Sequence, residues 1–230
     1  MNKRLLWLVT FILLATCSIA NASYEEATAA LNSGDYIKAY NEFKYLAGGG
    51  DARAQNRVGV MNDIGQGIPQ NYAEALKWYR KAADQGVADA QYNLGMMYAI
   101  GKGVAQDALE AVKWLSKAAE QGQPRAQNTL GYMYATGQGV PQDYAEAEKW
   151  NRRAAEQGFA PAQSNLGVMY MNGQGVPQDL VQAHMWFNLA AAGGYADAQK
   201  SRDSVAAKMT PAQIAEAQRL AREWKPKGPD

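Results

Sequence analysis

A fixed spacing constrains this chain more than any other feature of it. Gln55, Gln91, Gln127 and Gln163 stand 36 residues apart, and Trp78, Trp114, Trp150 and Trp186 keep the same step. So do Gly86, Gly122, Gly158 and Gly194. A period of this length marks a repeat architecture, in which one supersecondary unit cannot bury its apolar side alone and must stack on copies of itself.

Each copy predicts a helix, a loop and a second helix. In the first, Ala54, Val58 and Met61 with Gly59 have helical spacing, Gly65 and Gly67 interrupt it, and a second helical run follows Asn71. Gly65, Gly101, Gly137 and Gly173 fall just past the first helix, where glycine takes left-handed dihedrals cheaply. Pro69, Pro141 and Pro177 bar helix from the loop, with Ala105 as the exception. Asn71, Asp107, Asp143 and Asp179 suit N-caps. Glu74, Glu110, Glu146 and Gln182, three residues on, are placed to reach back to the cap amide as an Asx capping box. Along the second helix Ala75, Trp78 and Ala82 form one stripe with Leu76, Tyr79 and Ala83 beside it, broad enough to meet both its partner helix and the next unit. Because the tryptophan recurs in all four copies, it is assigned to packing.

The Gly-x-Gly-Val-Pro-Gln-Asp loop, the Lys-Trp followed by Ala-Ala and Gly, and the Ala-Gln three residues before Leu-Gly resemble the Sel1-like repeat family over Asp51 to Gly194. Val58 stands in the leucine column and Asn62 replaces Tyr98, Tyr134 and Tyr170, both in the first copy, where an array tolerates departures. The resemblance implies an all-α fold, an α-solenoid. This is a right-handed superhelix of stacked helix–loop–helix repeats, related to tetratricopeptide repeats but with a longer loop. It also implies a scaffold for protein partners in signalling, secretion or cell-envelope processes.

Taken in order, residues 1–22 carry Lys3 and Arg4, an apolar run from Leu5 to Ala15, and Ala20-Asn21-Ala22. This is the pattern of a secretory signal cleaved after Ala22. A lipobox reading of Leu14-Ala15-Thr16-Cys17, with a lipid anchor at Cys17, and a retained membrane anchor stand beside it. Cleavage after Ala22 removes the only cysteine, leaves no integral membrane segment, and places the protein in the periplasm or outside the cell. Loss of Lys3 and Arg4 from 23 basic residues leaves 21 against 22 acidic ones, a net charge of about −1 that does not gather nucleic acid. Residues 23–50, with Gly34-Asp35-Tyr36, resemble a shortened tetratricopeptide hairpin at the N-terminal end. Repeats are expected over 51–86, 87–122, 123–158 and 159–194, and capping helices over 195–224. Arg202 and Asp203 replace the Leu-Gly pair, and a helix opened by Thr210-Pro211 carries Ile214, Ala217, Leu220, Ala221 and Trp224 on one face. Residues 225–230 are expected to be a flexible tail.

Catalytic patterns are missing. His184 is the only histidine, and it reads as a helix residue packed near Trp186. Ser-x-x-Lys and Gly-x-Ser-x-Gly do not occur. The Gly-x-Gly pairs follow a helix and lack a Lys-Ser/Thr partner, so they read as turns. No catalytic residue, metal or cofactor is expected. The alternative, a cell-wall-associated or β-lactam-binding or hydrolysing protein, comes from cysteine-rich relatives implied by the resemblance.

The four copies also serve as an internal alignment. Columns that repeat serve stacking, and columns that vary on the first helix are the candidates for a protein or peptide partner on the concave face. They hold Arg53, Asp89, Arg125 and Pro161; Asn56, Tyr92, Asn128 and Ser164; Val60, Met96, Tyr132 and Val168; and Asp63, Ala99, Ala135 and Met171. Tyr92, Met96, Tyr132 and Met171 among Arg and Asn make the mixed surface expected of a peptide groove.

Overall fold

The computed structural model describes residues 23–228; the leader and the lipid-anchor reading at Cys17 lie outside the described residues. Helices account for the regular structure and no strand occurs among the described residues. The helices are α1 (23–32), α2 (Tyr36–Gly48), α3 (Ala52–Ile64), α4 (Tyr72–Asp84), α5 (Ala88–Ile100) and α6 (Ala108–Glu120). They continue as α7 (Pro124–Thr136), α8 (Tyr144–Glu156), α9 (Ala160–Asn172), α10 (Leu180–Ala192), α11 (Ala196–Ala206) and α12 (Pro211–Glu223). The chain forms two compact units, one running up to Met97 and including Gly101–Ala105, the other holding Tyr98–Ile100 and everything from Gln106.

The loop glycines do two jobs. Gly65, Gly101, Gly137 and Gly173 turn the chain at φ of 72°, 70°, 73° and 69°. The second glycine of each pair also packs. A Cβ on Gly67 would lie 2.7 Å from the Tyr36 carbonyl oxygen, on Gly103 2.9 Å from that of Tyr72, on Gly139 2.4 Å from that of Ala108, and on Gly175 2.1 Å from that of Tyr144. Each loop is thus pressed against the start of the preceding hairpin's second helix, so the glycines serve stacking as well as turning.

The N-caps form as expected. Asn71 accepts from the Glu74 amide at 3.0 Å, and Asp107, Asp143 and Asp179 each accept from two amides of the first turn. The reciprocal half of the capping box does not form in the repeats. The amides of Asn71, Asp107, Asp143 and Asp179 already donate to the carbonyls of Asn62, Tyr98, Tyr134 and Tyr170, at 2.9, 3.0, 2.9 and 3.0 Å. With that donor spent, Glu74, Glu110 and Glu146 pair instead with Lys77, Lys113 and Lys149 at 2.6, 2.8 and 2.9 Å. A complete box closes between Thr210 and Gln213 of α12.

In the first unit Phe43, Ala54, Val58 and Met61 form a buried core with Ala27 and Ala39, and Tyr24 meets Phe43 edge-on at 5.3 Å. Asn62, in the tyrosine column, is buried and donates to the Val58 carbonyl at 2.8 Å, so the substitution leaves that amide satisfied. In the second unit Ala147, Ala154, Leu166, Met169 and Trp186 pack with Ala221 of α12, while Phe187, Ala183, Ala198 and Val205 form a cluster between α10 and α11. Gly167 allows α9 and α10 to approach: a Cβ there would stand 2.7 Å from the Phe187 ring. The segment that follows α12 makes a backbone contact with α8. Lys227 donates its backbone N–H to the Glu156 carbonyl at 2.7 Å.

Candidate protein-binding site

The repeated columns of the first helices are spent on holding hairpins together. Each conserved-spacing glutamine is buried and donates to a carbonyl of the preceding second helix: Gln55 to Ala47 at 3.2 Å, Gln91 to Ala83 at 3.2 Å, Gln127 to Ala119 at 3.0 Å and Gln163 to Ala155 at 3.2 Å. The glutamines that end α4 and α8 complete the link, Gln85 donating to Gln55 Oε1 and Gln157 to Gln127 Oε1, both at 2.8 Å. A buried amide left unbonded costs about 1–3 kcal/mol, which explains why the position does not drift. The signal was present in the Gln that ends the second helix of the first three repeats, Gln85, Gln121 and Gln157, with Gly193 in the fourth, but its partner could not be read from spacing.

In the first unit several candidate residues are engaged within the fold. Arg53 is exposed, lies 4.3 Å over the Tyr24 ring and pairs with Asp51 at 3.6 Å. Asn56 accepts from Asn93 at 3.3 Å, a bond between hairpins that takes up its oxygen. Asp89 is exposed and Tyr92 and Met96 are half-buried on α5. Asp63 is held by Lys102 at 2.7 Å, and Lys102 also sits 4.5 Å over the Tyr72 ring. Burial first, and then the Asp63 carboxylate, push the Tyr79 phenol well above its ordinary range, so it stays neutral.

The second unit holds a formed groove of about 130 Å³ between α7 and α9. Tyr132, 52% exposed, and Val168 form its apolar lip, Ala135 and Met169 its floor, and Asn151, Asn165 and Gln174 its polar wall. Asn165 donates to Asn128 at 2.9 Å and lies 3.2 Å from the Asn151 oxygen, while Asn151 donates to the Ala147 carbonyl at 2.9 Å. Gly131 makes room for this: a Cβ there would be 2.5 Å from Asn151 Nδ2. Asn128 therefore belongs to the scaffold of the groove, with its oxygen already bonded. Arg125 is exposed on the first turn of α7. Met171 does not join Tyr132; it packs against the Phe187 cluster between α10 and α11. Sequence reasoning missed Tyr144, Asn151, Asn165 and Gln174, because two come from the second helix and its start, one from the loop, and Asn165 from a column not chosen.

Amides, an aromatic lip and an apolar floor suit a polypeptide segment. His184 is 3% exposed with Nδ1 unbonded, and burial, with Arg202 adding to it, lowers its pKa. Among the described residues no three His, Cys, Asp or Glu side chains gather to hold a metal, and no helix is long and apolar enough to cross a membrane.

Sequence comparison finds four Sel1 repeats, at residues 52–87, 88–123, 124–159 and 160–195. The chain is similar to c5321, a protective antigen present in uropathogenic Escherichia coli strains, with 34% identity and a TM-score of 0.78 over 91% of this chain and 47% of that one. It thus spans about half the length of that relative. It is similar to a Sel1 repeat protein from Oxalobacter formigenes, with 32% identity and a TM-score of 0.76 over 87% and 82% of the two chains. The immunity protein Pa5087 of Pseudomonas aeruginosa shares the fold at 22% identity and a TM-score of 0.54, over 89% and 81%. No curated protein matches.

Proposed function

The chain belongs to the Sel1 repeat family, and from that premise we propose that it is an exported, non-enzymatic adaptor that holds a protein segment on the variable first-helix face. Sel1-repeat proteins generally mediate protein–protein interaction, and the family is typically one of scaffolds. The observation that carries the reading is the groove at Tyr132, where an exposed aromatic side chain stands beside a satisfied amide network. An aromatic lip supplies contact area at low entropic cost, and fixed amides offer hydrogen bonds without reorganisation. Tyr92 and Met96 add a second, half-buried patch on the first unit. Export rests on the charged start, short apolar run and Ala-Asn-Ala end of residues 1–22. The description of c5321 as a protective antigen supports it.

The test is a photo-crosslinking residue placed at Tyr132, with Leu109, 72% exposed on the first turn of α6, as the control position. Irradiation in cells of the native host is expected to link a protein through position 132 and not through 109. Equal labelling from both positions overturns the assignment of the face. The mature N-terminus is expected at Ser23, and intact mass of envelope protein checks it; a diacylglyceryl mass beginning at Cys17 replaces cleavage by lipidation.

A further inference from the structure

The segment after α12 occupies a surface that has the parts of a peptide site. Trp224 leaves the helix with extended dihedrals (φ −65°, ψ 138°) and sets its ring edge-on to Trp186 at 6.3 Å. Its Cη2 and the Pro226 Cβ each lie 3.9 Å from where a side chain on Gly158 would begin, at van der Waals range, so both residues lie over Gly158. Lys227 then donates its N–H to the Glu156 carbonyl at 2.7 Å and places Nζ 3.0 Å from the Glu156 carboxylate. Lys227 and Gly228 line a cavity of about 160 Å³ together with Glu120 at the end of α6, Gly122 beyond it, Arg153 of α8 and its C-cap Gln157.

The chemistry of this edge suits an extended, basic segment. The last turn of a helix presents unsatisfied carbonyls and the negative end of its dipole, which favours cations and accepts N–H groups from any backbone. Glu156 supplies both a main-chain acceptor and a carboxylate. Trp186 offers an indole ring that meets the Trp224 ring edge-on. These residues do not overlap the Tyr132 groove.

We propose that the edge formed by Trp186, Gly158 and Glu156 is a second binding site, for an extended partner segment of the pattern aromatic–basic–proline–basic, and that Trp224–Lys227 is its resident competitor. The partner's segment gains the contacts that the tail gives up, so its apparent affinity is lowered by the fraction of time the tail is docked.

The experiment uses a fluorescent peptide copying residues 222–230, titrated into the full-length protein and into the full-length Trp224→Ala/Lys227→Ala variant. The variant is expected to bind the peptide at least tenfold more tightly than the wild type. Glu156→Gln added to the variant should remove most of that gain, and a peptide with alanine for its tryptophan should not bind. Tyr132→Ala should leave this binding unchanged, which separates the site from the groove. A folded variant that fails to bind, or binds no better than wild type, overturns the proposal. Should the double variant misfold, hydrogen exchange on the wild type decides: Lys227 N–H is expected to exchange more slowly than in the free peptide, and exchange at the free rate overturns the docked strap.

Discussion

Trp114 and Trp186 hold the same position two repeats apart, and they are closed in different ways. Trp114 donates its indole N–H to Glu110 at 3.2 Å and is covered by Lys117, 4.3 Å from the ring centroid. Trp186 has Gln182 and Leu189 at those places, its Nε1 has no hydrogen-bond partner, and its cover is Trp224, just past α12. Trp114 is thus completed by side chains of its own repeat, whereas Trp186 borrows from the chain that follows; Trp150 lies between the two, under Arg153 but with its Nε1 also unbonded. The end of the array is specified outside the repeat, which is why the repeat alone could not describe it.

The largest effects should come from emptying these sites. Trp114→Ala and Trp186→Ala are each expected to cost ~3–5 kcal/mol in denaturant melts, the range for a buried aromatic. Trp78→Ala, in the half-buried member of the column under Lys81, should cost only about 1–2 kcal/mol. Equal losses for Trp78 and Trp114 would break the distinction between covered and buried.

Glycines sharpen the same contrast. Gly175→Ala must both hold φ at 73° and push the new Cβ against the Tyr144 carbonyl, and is expected to lose about 3 kcal/mol. Gly194→Ala, at φ 84° with nothing within 4 Å, faces the dihedral alone and should lose ~1–2 kcal/mol. Trp224→Ala should lose a similar ~1–2 kcal/mol if the terminal tryptophan depends on its borrowed cover. Calorimetric or chemical melts of the three variants rank them directly.

The pH dependence is smaller and has a definite sign. His184 is buried near Arg202 with its pKa below the ordinary value, so it stays neutral in the folded state while the unfolded chain takes up a proton near about 6.5. Its contribution is complete above about pH 6.5 and is lost as pH falls through the lower folded value. The difference in melting midpoint between wild type and His184→Gln should therefore change between about pH 7 and pH 5; a constant difference contradicts the burial argument.

Much of this was legible in the residues. Period, glycine turns and Asx caps predicted the helices, because each is a local signal with one backbone solution. The capping boxes failed because a cap amide can be claimed by a carbonyl of the preceding helix, a tertiary contact that spacing does not report. Of the varying first-helix columns, Tyr132 and Val168 line the groove, whereas Met171 packs against the Phe187 cluster and Asn128 is bonded to Asn165. Variation also occurs inside: Tyr79, Asn151 and Phe187 share a column and are all buried, against Gly59, Gly131 and Gly167 respectively. A varying column is therefore either exposed or compensated by its neighbours, and only packing separates the two.

Tyr132 should be the least important of these residues for stability and the most important for recognition. Being 52% exposed, it should cost less than about 1 kcal/mol when truncated, whereas interface aromatics often contribute ~2 kcal/mol or more. The decisive measurement is the affinity of purified wild type, Tyr132→Ala and Tyr92→Ala/Tyr132→Ala for the protein crosslinked through position 132, with melting midpoints taken on the same samples. We expect a loss of well over tenfold for the double variant at nearly unchanged stability. Unchanged affinity in variants of unchanged stability would contradict the assignment of recognition to the first-helix face.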